Sequence, residues 1–219
     1  DLLKRFGHRI TKLSPSLVQI KTETEVVRKL KGIKINARVR INSFESEGEL
    51  LFTDYGLSGP PVFALSSRID GAKNAIIDIM PEYGYSDVLS LLKERRAYLS
   101  DVNLEEFFTG MLNKRVGQAL LKYINAAPLS RLTSTLSDEE LKKIASVIKG
   151  WSFGIIGTMS WNNAQVTHGG AATESFDPHT MESRIVKGLY ACGEVLDIDG
   201  DCGGYNLQWA WSSGYIAGK

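Results

Sequence analysis

The chain has 219 residues and a formal net charge of +1 at pH 7, and 43% of its residues are hydrophobic. This length allows one large domain or two small ones with a buried core. The near-neutral charge gives no electrostatic reason to expect binding to nucleic acid or to an anionic membrane. No apolar run approaches the roughly 20 residues that a membrane-spanning helix needs.

The cysteines indicate the cellular compartment, and the first residue indicates that the chain is part of a longer protein. The two cysteines, Cys192 and Cys202, form no disulfide framework, which favours a reducing cytoplasm. The chain starts at Asp1, without a methionine or a signal-like segment. We therefore expect a piece of a longer cytoplasmic protein.

The first 80 residues predict a β-rich layer. Along residues 33–41, five apolar residues alternate with Lys34, Asn36, Arg38 and Arg40, which is typical of an antiparallel strand with one buried face. The basic face is either a solvated sheet surface or a ligand-binding surface. In chain order, the pattern predicts the end of a helix over residues 1–9, strands over residues 17–20, 33–41 and 49–53, a helix capped by Ser58 that ends near residue 67, and a strand over residues 75–80.

Residues 86–149 predict a helical layer. Ser86 is a candidate N-cap for the first of these helices. Two pairs further along the chain have the spacing of a capping box: Asn103 with Glu106, and Ser137 with Glu140. The helix that Ser137 opens has one apolar face, formed by Leu141, Ile144, Ala145 and Ile148. The remaining elements are a helix over residues 112–123 and strands over residues 151–159 and 164–167.

The last 32 residues carry the strongest functional signal. An apolar run over residues 189–192 predicts a short strand that ends at Gly193 and Glu194, and a helix is expected to open at Gly203 and Gly204. The backbone N–H groups at such a helix start have no intrahelical partner, and the helix dipole adds positive potential. This suits an anionic cofactor group or an electron-rich ring edge. Glu194 either accepts hydrogen bonds from ligand hydroxyls or caps the turn.

Other polar residues in this tail leave alternatives open. The alternating aspartates from Asp197 resemble a calcium loop, but the EF-hand glycine and glutamate positions are Cys202 and Gln208, so no metal is expected. His168 and His179 lie in polar turns and are weak candidates for a general acid or base, so the catalytic residues stay unassigned. The residues expected to pack rather than react are Cys192, Trp209 and Trp211, with the small residues of the last helix.

Several blocks resemble one bacterial flavoprotein family. They are Gly7-His8, Pro15-Ser16-Leu17, residues 52–60 (FTDYGLSGP), residues 164–170 (AQVTHGG), residues 180–183 (TMES) and the tail from residue 188 to 218. The chain is similar to proteins labelled NAD(P)/FAD-dependent oxidoreductases, either aminoacetone-oxidase-like or bile-acid dehydro-reductase-like. The blocks cover nearly all 219 residues in the family's order.

The resemblance implies an α+β fold. An inserted, barrel-like antiparallel and helical substrate or cap domain over residues 12–161 would interrupt a glutathione-reductase-like FAD domain. Residues 1–11 would end the first FAD-domain segment, and residues 162–219 would form its C-terminal strand-helix part. The residues implied to contact FAD are Gly193 and Glu194 at the ribityl or pyrophosphate part, Gly203, Gly204, Tyr205 and Asn206 at the isoalloxazine ring, and the helix from Leu207 at the N1–C2=O edge.

The sequence departs from the family pattern in two ways. The Gly-x-Gly-x-x-Gly fingerprint that holds the ADP pyrophosphate does not occur, so we expect this piece alone to bind FAD poorly and to need the missing N-terminal FAD-domain segment. Asp54 stands where many relatives have histidine, which makes a proton-transfer role there doubtful.

The expected activity of the intact protein is hydride transfer between a small organic substrate and the flavin, with NAD(P)H as a candidate reductant. An enone reductase and an amine oxidase both fit. No nucleic-acid or membrane partner is expected. The alternative is a non-catalytic interaction module that uses the basic strand face.

Overall fold

The computed structural model describes residues 2–219. The helices are α1 (Leu2–Arg5), α2 (Thr24–Val27), α3 (Pro60–Leu65), α4 (Tyr85–Tyr98), α5 (Lys114–Tyr123), α6 (Asp138–Gly150) and α7 (Tyr205–Ala217). The strands are β1 (Ser14–Ser16), β2 (Ile20–Thr22), β3 (Lys34–Ile41), β4 (Phe44–Phe52), β5 (Gly56–Ser58), β6 (Asn74–Asp78), β7 (Trp151–Thr158) and β8 (Val166–His168). Within the described residues no helix is long and apolar enough to cross a bilayer.

Six strands close into an antiparallel barrel in the order β2-β5-β4-β3-β6-β7. β3 shows why the sequence folds this way: Ala37, Val39 and Ile41 are fully buried, and the residues between them face outward. β3 and β4 form a hairpin whose register runs from Lys34 opposite Leu51 to Ile41 opposite Phe44. The barrel-like antiparallel sheet predicted from the sequence is therefore confirmed.

Helices α4, α5 and α6 follow β6 and pack beside the barrel. The capping box that opens α6 is confirmed: Glu140 N–H donates to Ser137 Oγ at 3.1 Å, and Ser137 N–H donates to the Glu140 carboxylate at 2.8 Å. The apolar face predicted for α6 is fully buried. The capping box predicted for Asn103 with Glu106 is wrong, because the side chain of Asn103 caps nothing and a single 3₁₀ turn, Leu104–Glu106, follows it.

Three other local predictions are also wrong. Residues 17–20 do not form one strand, because Leu17 adopts a positive φ of +49° between β1 and β2. Ser58 belongs to β5 instead of capping a helix, and the N-cap of α3 is Gly59, with φ +103°. Gly84 rather than Ser86 precedes α4, and its N–H donates to the Asp87 carboxylate at 3.0 Å.

The buried apolar side chains form two separate clusters. The larger draws on residues 20–155 and includes Phe52, Phe107 and Trp151. The smaller consists of Ala171, Phe176, Met181, Ala191 and Leu196, with partly buried residues of α1 and α7 packed against it. We call residues 20–158 the barrel region, and residues 2–11 with 162–219 the terminal region.

A two-stranded antiparallel ribbon joins the two regions. β1 and β8 pair with each other, with Ser14 opposite His168 and Ser16 opposite Val166. Because β1 leads into the barrel region and β8 leads out of it, both chain crossings run side by side. This places the ribbon beside the tail that carries the predicted site.

Candidate functional site

A cavity of about 320 Å³ opens at the start of α7. Five of the seven residues that the sequence assigned to a cofactor line it: Glu194, Gly203, Gly204, Asn206 and Leu207. Apolar side chains from the ribbon and from α7 complete the wall, among them Leu17, Val166 and Trp209. The structure thus brings most of the predicted residues together around one concave surface.

The two glycines before α7 form an open cradle. Gly203 and Gly204 have φ values of +131° and +92°, a conformation that L side chains rarely adopt. Gly204 is the N-cap and has no side-chain cap, so the first N–H groups of α7 face away from the helix without a side-chain acceptor at the cap. The helix is 13 residues long, which is enough for its dipole to add positive potential at this end.

Glu194 lies between this cavity and a second one. Its Oε1 accepts the backbone N–H of Thr167 in β8 at 2.6 Å, and the side chain lines both cavities. The predicted strand before it, over residues 189–192, does not form. Within residues 2–219, only the isolated bridge of Glu182 with Tyr190 pairs this stretch, and a 3₁₀ turn, Gly193–Val195, follows.

Asn206 has a structural task. Its Oδ1 accepts the N–H of Gly200 at 2.9 Å, and its Nδ2 donates to the Gly200 carbonyl at 2.8 Å. This pair of hydrogen bonds closes the loop before α7 and shapes the glycine cradle. One amide hydrogen and one acceptor position of Asn206 remain for a ligand.

The other predicted site residues sit at the edge of the cavity. Gly193 donates its N–H to Ser213 Oγ at 2.9 Å, and its carbonyl accepts the Trp209 indole N–H at 3.1 Å, so it holds α7 in place. Tyr205 begins α7 and exposes its ring to solvent. Neither residue lines the cavity. The helix starts at Tyr205, two residues before Leu207.

Asp199, one of the alternating aspartates that resemble a calcium loop, instead joins the ribbon to this site. Asp199 Oδ1 lies 2.8 Å from His168 Nδ1, and Ser16 Oγ donates to Asp199 Oδ2 at 3.1 Å. The sequence separates the three residues by up to 183 positions, and only the antiparallel pairing of β1 with β8 brings Ser16 and His168 together. No spacing rule could have found them.

An apolar trough of about 550 Å³ lies on the other side of Glu194. It is lined by Leu2, Leu3, Ile10 and Leu13, and by residues 189–192. Cys192 was expected in the core, but it is exposed along this trough. Trp211 was expected to pack, but it is 72% exposed, whereas Trp209 packs against the smaller cluster as predicted.

The basic face of β3 is largely paired. Lys34 Nζ lies 2.7 Å from the Glu49 carboxylate, and Arg38 donates to the Glu47 carboxylate at 2.9 Å, both across the hairpin to β4. The Glu47 carboxylate raises the pKa of Arg38 through this hydrogen bond. The pairing removes most of the excess positive charge on which a binding role for this face would depend.

The aspartates of the tail do not gather into a metal site. Across residues 2–219, no three side chains of the His, Cys, Asp and Glu types are grouped so that they could hold a metal ion. The Asp199 carboxylate is instead used by Ser16 and His168.

Comparison with known proteins gives one family. The model of the HI0933-like protein Rossmann domain matches residues 1–219. The chain is 35% identical over 234 residues to the 3-dehydro-bile acid delta(4,6)-reductase of Clostridium scindens, an alignment that covers 100% of this chain and 56% of that protein.

Two further relatives carry a different name. The chain is 32% identical to the ribosomal RNA dihydrouridine synthase of Escherichia coli, covering 100% of this chain and 54% of that protein. It is 33% identical to the protein of the same name from Haemophilus influenzae, covering 76% and 40% respectively. The chain spans about half the length of the curated relatives it matches.

Proposed function

The chain belongs to the family of the HI0933-like protein Rossmann domain, and from this premise we propose that it is part of an FAD-dependent oxidoreductase. The observation that carries the proposal is the uncapped start of α7, which opens through Gly203 and Gly204 onto a cavity. The residues present fit a flavin, because backbone N–H groups and a helix dipole favour the electron-rich edge of its ring.

The proposed division of the chain follows the two apolar clusters. Residues 12–161 would be an inserted substrate or cap domain, and residues 162–219, with the end of a first segment at residues 1–11, would belong to a glutathione-reductase-like FAD domain. The apolar trough supports this division, because its exposed leucines would be covered by further residues of the FAD domain in a longer protein.

The proposed reaction is reduction of a carbon–carbon double bond conjugated to a carbonyl group. A bile-acid delta(4,6)-reductase and a dihydrouridine synthase share this chemistry in their names, although one acts on a small molecule and the other on RNA. The names of these relatives therefore favour an enone reductase over an amine oxidase for this chain. NAD(P)H is the proposed source of electrons, and the bound flavin would supply the hydride.

Each site residue has a proposed part in holding the cofactor. Gly203 and Gly204 let the backbone approach the ring, and the first turn of α7 offers N–H groups to its N1–C2=O edge. Glu194 keeps one carboxylate oxygen for ribityl hydroxyls, and Asn206 keeps the loop closed. We propose a small cyclic substrate rather than RNA, because the paired face of β3 and the net charge of +1 offer few free cations to phosphates.

The test is the visible spectrum of the full-length protein that contains this chain. We expect a flavin band that NADPH or NADH bleaches without oxygen, and reoxidation by a 3-keto-Δ4,6 steroid acid used as the probe. Replacing Gly204 with Val should lower flavin retention, because the side chain would strain the cradle. Gly71→Val is the matched control, since Gly71 also has a positive φ, of +72°, but lies in a distant turn.

The outcomes separate the two functional hypotheses. A colourless, folded full-length protein would support a non-catalytic interaction module instead. The 219-residue chain alone should retain little FAD, and stoichiometric FAD in that piece would contradict the proposed need for an N-terminal segment.

A further inference from the structure

The contact of Ser16, Asp199 and His168 suggests a chemical role for the histidine. The Asp199 side chain is 15% exposed, and the His168 side chain is 36% exposed. We propose that His168 is the proton donor that completes reduction of the substrate double bond, with Asp199 as its positioning residue. This inference rests on the proposed reductase function and assigns the acid that the proposed function leaves open.

The hydrogen bonds fix which nitrogen of His168 is available. An ionised carboxylate only accepts hydrogen bonds, so the Asp199 contact requires the proton on Nδ1. Ser16 donates to the other carboxylate oxygen, which holds Asp199 in this orientation. In the described part of the chain, Nε2 of His168 has no hydrogen-bond partner. An imidazole with one nitrogen held by a carboxylate and the other free is the usual arrangement of a general acid or base.

The position of the cluster directs it toward the candidate cavity. Leu17 follows Ser16 and Ile198 precedes Asp199, and both line the cavity. Val166 also lines it, and residues two apart on a strand project from the same face. His168 therefore lies on the same face of β8 as Val166, two residues beyond the cavity wall that Val166 forms, and is not itself a lining residue.

The proposed step balances without a further reactant. Flavin reduced by NAD(P)H, when bound in the full-length protein, would supply the hydride for the β carbon of the unsaturated carbonyl substrate and would be oxidised in doing so. The electron pair of the double bond then resides on the α carbon and the carbonyl oxygen as an enolate. His168 in its protonated form gives its Nε2 proton to the α carbon, so a C–H bond forms while the N–H bond breaks and its electron pair stays on nitrogen.

The surroundings allow His168 to act repeatedly. Its partial exposure lets water return a proton to Nε2 after each turnover. Asp199 Oδ1, 2.8 Å from Nδ1, keeps the ring in one orientation from one turnover to the next. Asp54 is paired with Lys31 on the barrel region at 2.6 Å.

The variant that separates chemistry from structure is His168→Asn. Its amide N–H can replace Nδ1–H as the donor to Asp199, but it has no group at the place of Nε2. In the full-length flavoprotein we expect flavin reduction by NADPH to change less than about twofold. Transfer to the 3-keto-Δ4,6 steroid probe should slow by about 10²- to 10⁴-fold, the usual contribution of a general acid. Asp199→Asn should slow it less, and His179→Asn, in an exposed turn, should leave it unchanged.

Two readouts do not depend on the rate. In D₂O the wild-type protein should place deuterium on the α carbon in a single configuration, whereas residual product from His168→Asn should carry it in both. In the oxidised wild-type protein labelled with ¹⁵N-histidine, NMR should show the His168 proton on Nδ1, and Asp199→Asn should weaken that preference.

The outcomes distinguish this inference from the function on which it rests. A wild-type transfer rate and single configuration in His168→Asn would overturn the role of His168 while leaving the reductase intact. A neutral His168 ring that carries its single proton on Nε2 and none on Nδ1 would overturn it without any variant. Absence of flavin, or of probe reduction in the wild-type protein, would refute the proposed function and this inference with it.

Discussion

The barrel region and the terminal region use their apolar residues in opposite ways. In the barrel region each of the six strands has two neighbours, so no strand edge is left open, and large side chains such as Phe52, Phe107 and Trp151 are fully buried. In the terminal region α7 buries only Ser213, while Leu207 and Trp211 are exposed. The barrel region buries large apolar side chains in its own core, whereas the terminal region leaves large apolar side chains of α7 exposed.

This difference explains which part of the chain looks stable and which part looks functional. The barrel region has two cavities of its own, about 340 Å³ between α2 and α5 and about 250 Å³ between β3 and α5, but its charged hairpin face is paired. The terminal region has a small core and two cavities beside Glu194. Binding surfaces commonly occur where a scaffold leaves apolar area uncovered.

The largest expected effect on stability is the difference between two tryptophan-to-alanine replacements, one in each region. Trp151→Ala should lower the free energy of unfolding by about 3–5 kcal/mol, because it empties a fully buried site against Tyr123 and Phe153. Trp211→Ala should change it by less than about 0.5 kcal/mol in the 219-residue chain. Urea unfolding followed by circular dichroism measures both, and equal losses would contradict the proposed contrast between the regions.

A smaller effect is expected at the start of α6. Ser137→Ala should cost about 1 kcal/mol, because it removes the acceptor for the Glu140 N–H. Asn103→Ala is the matched control, since Asn103 has the same sequence spacing but its side chain caps nothing. A comparable loss in both variants would show that the capping geometry is not the source of the stability.

The smallest expected effect is a dependence on acidity in the same helix. Burial of Glu140 acts to raise its pKa, but the N–H of Ser137 and the guanidinium of Arg131 outweigh it, so its pKa is lowered. A carboxyl group with a lowered folded pKa stabilises the protein above its unfolded pKa of about 4.3. This stabilisation is lost as the pH falls through the folded pKa.

The free energy of unfolding should therefore differ less between about pH 7 and about pH 3 in Glu140→Gln than in the wild type, by below about 1 kcal/mol. Urea unfolding at both pH values measures this difference. Glu139→Gln is the comparison, because the hydrogen bond from Lys142 also lowers the pKa of Glu139, but this side chain is exposed and solvent screens its contribution. A steeper acid dependence in Glu140→Gln than in the wild type would reverse the assigned sign.

Single elements of the barrel region were predictable because their signals are local, whereas the barrel-like arrangement was implied only by the family resemblance. Alternation along residues 33–41 fixes a strand, and Ser137 with Glu140 fixes a helix start, before any long-range contact is known. The family resemblance, which the HI0933-like match confirms, came from ordered blocks of the same local kind. The predictions that were wrong, such as Ser58 as a cap and residues 17–20 as a strand, lie beside backbone with positive φ, at Gly59 and at Leu17. The tertiary fold imposes such values, and residue preferences do not reveal them.

The site was predictable in part for the same reason. Two consecutive glycines, Gly203 and Gly204, indicate backbone with positive φ, and the structure gives both residues a positive φ. The strand expected over residues 189–192 did not form, since a strand needs a neighbour that a local pattern cannot supply. The contact of Asp199 with Ser16 and His168 depends on two segments that meet across the ribbon, so no periodicity within either segment carries it.

The narrow β1–β8 ribbon makes the molecule modular. Ser16 and Val166 are paired across it, and paired residues of antiparallel strands have Cα atoms about 4.5–5.5 Å apart. A two-residue turn spans that gap. The chain between them can therefore be exchanged for a hairpin turn, or for a foreign domain with adjacent termini, without separating the ribbon ends, although Leu17 and Gln165 of the cavity wall would be lost. The fold in this way allows the residues between the ribbon ends to be exchanged while those ends stay paired.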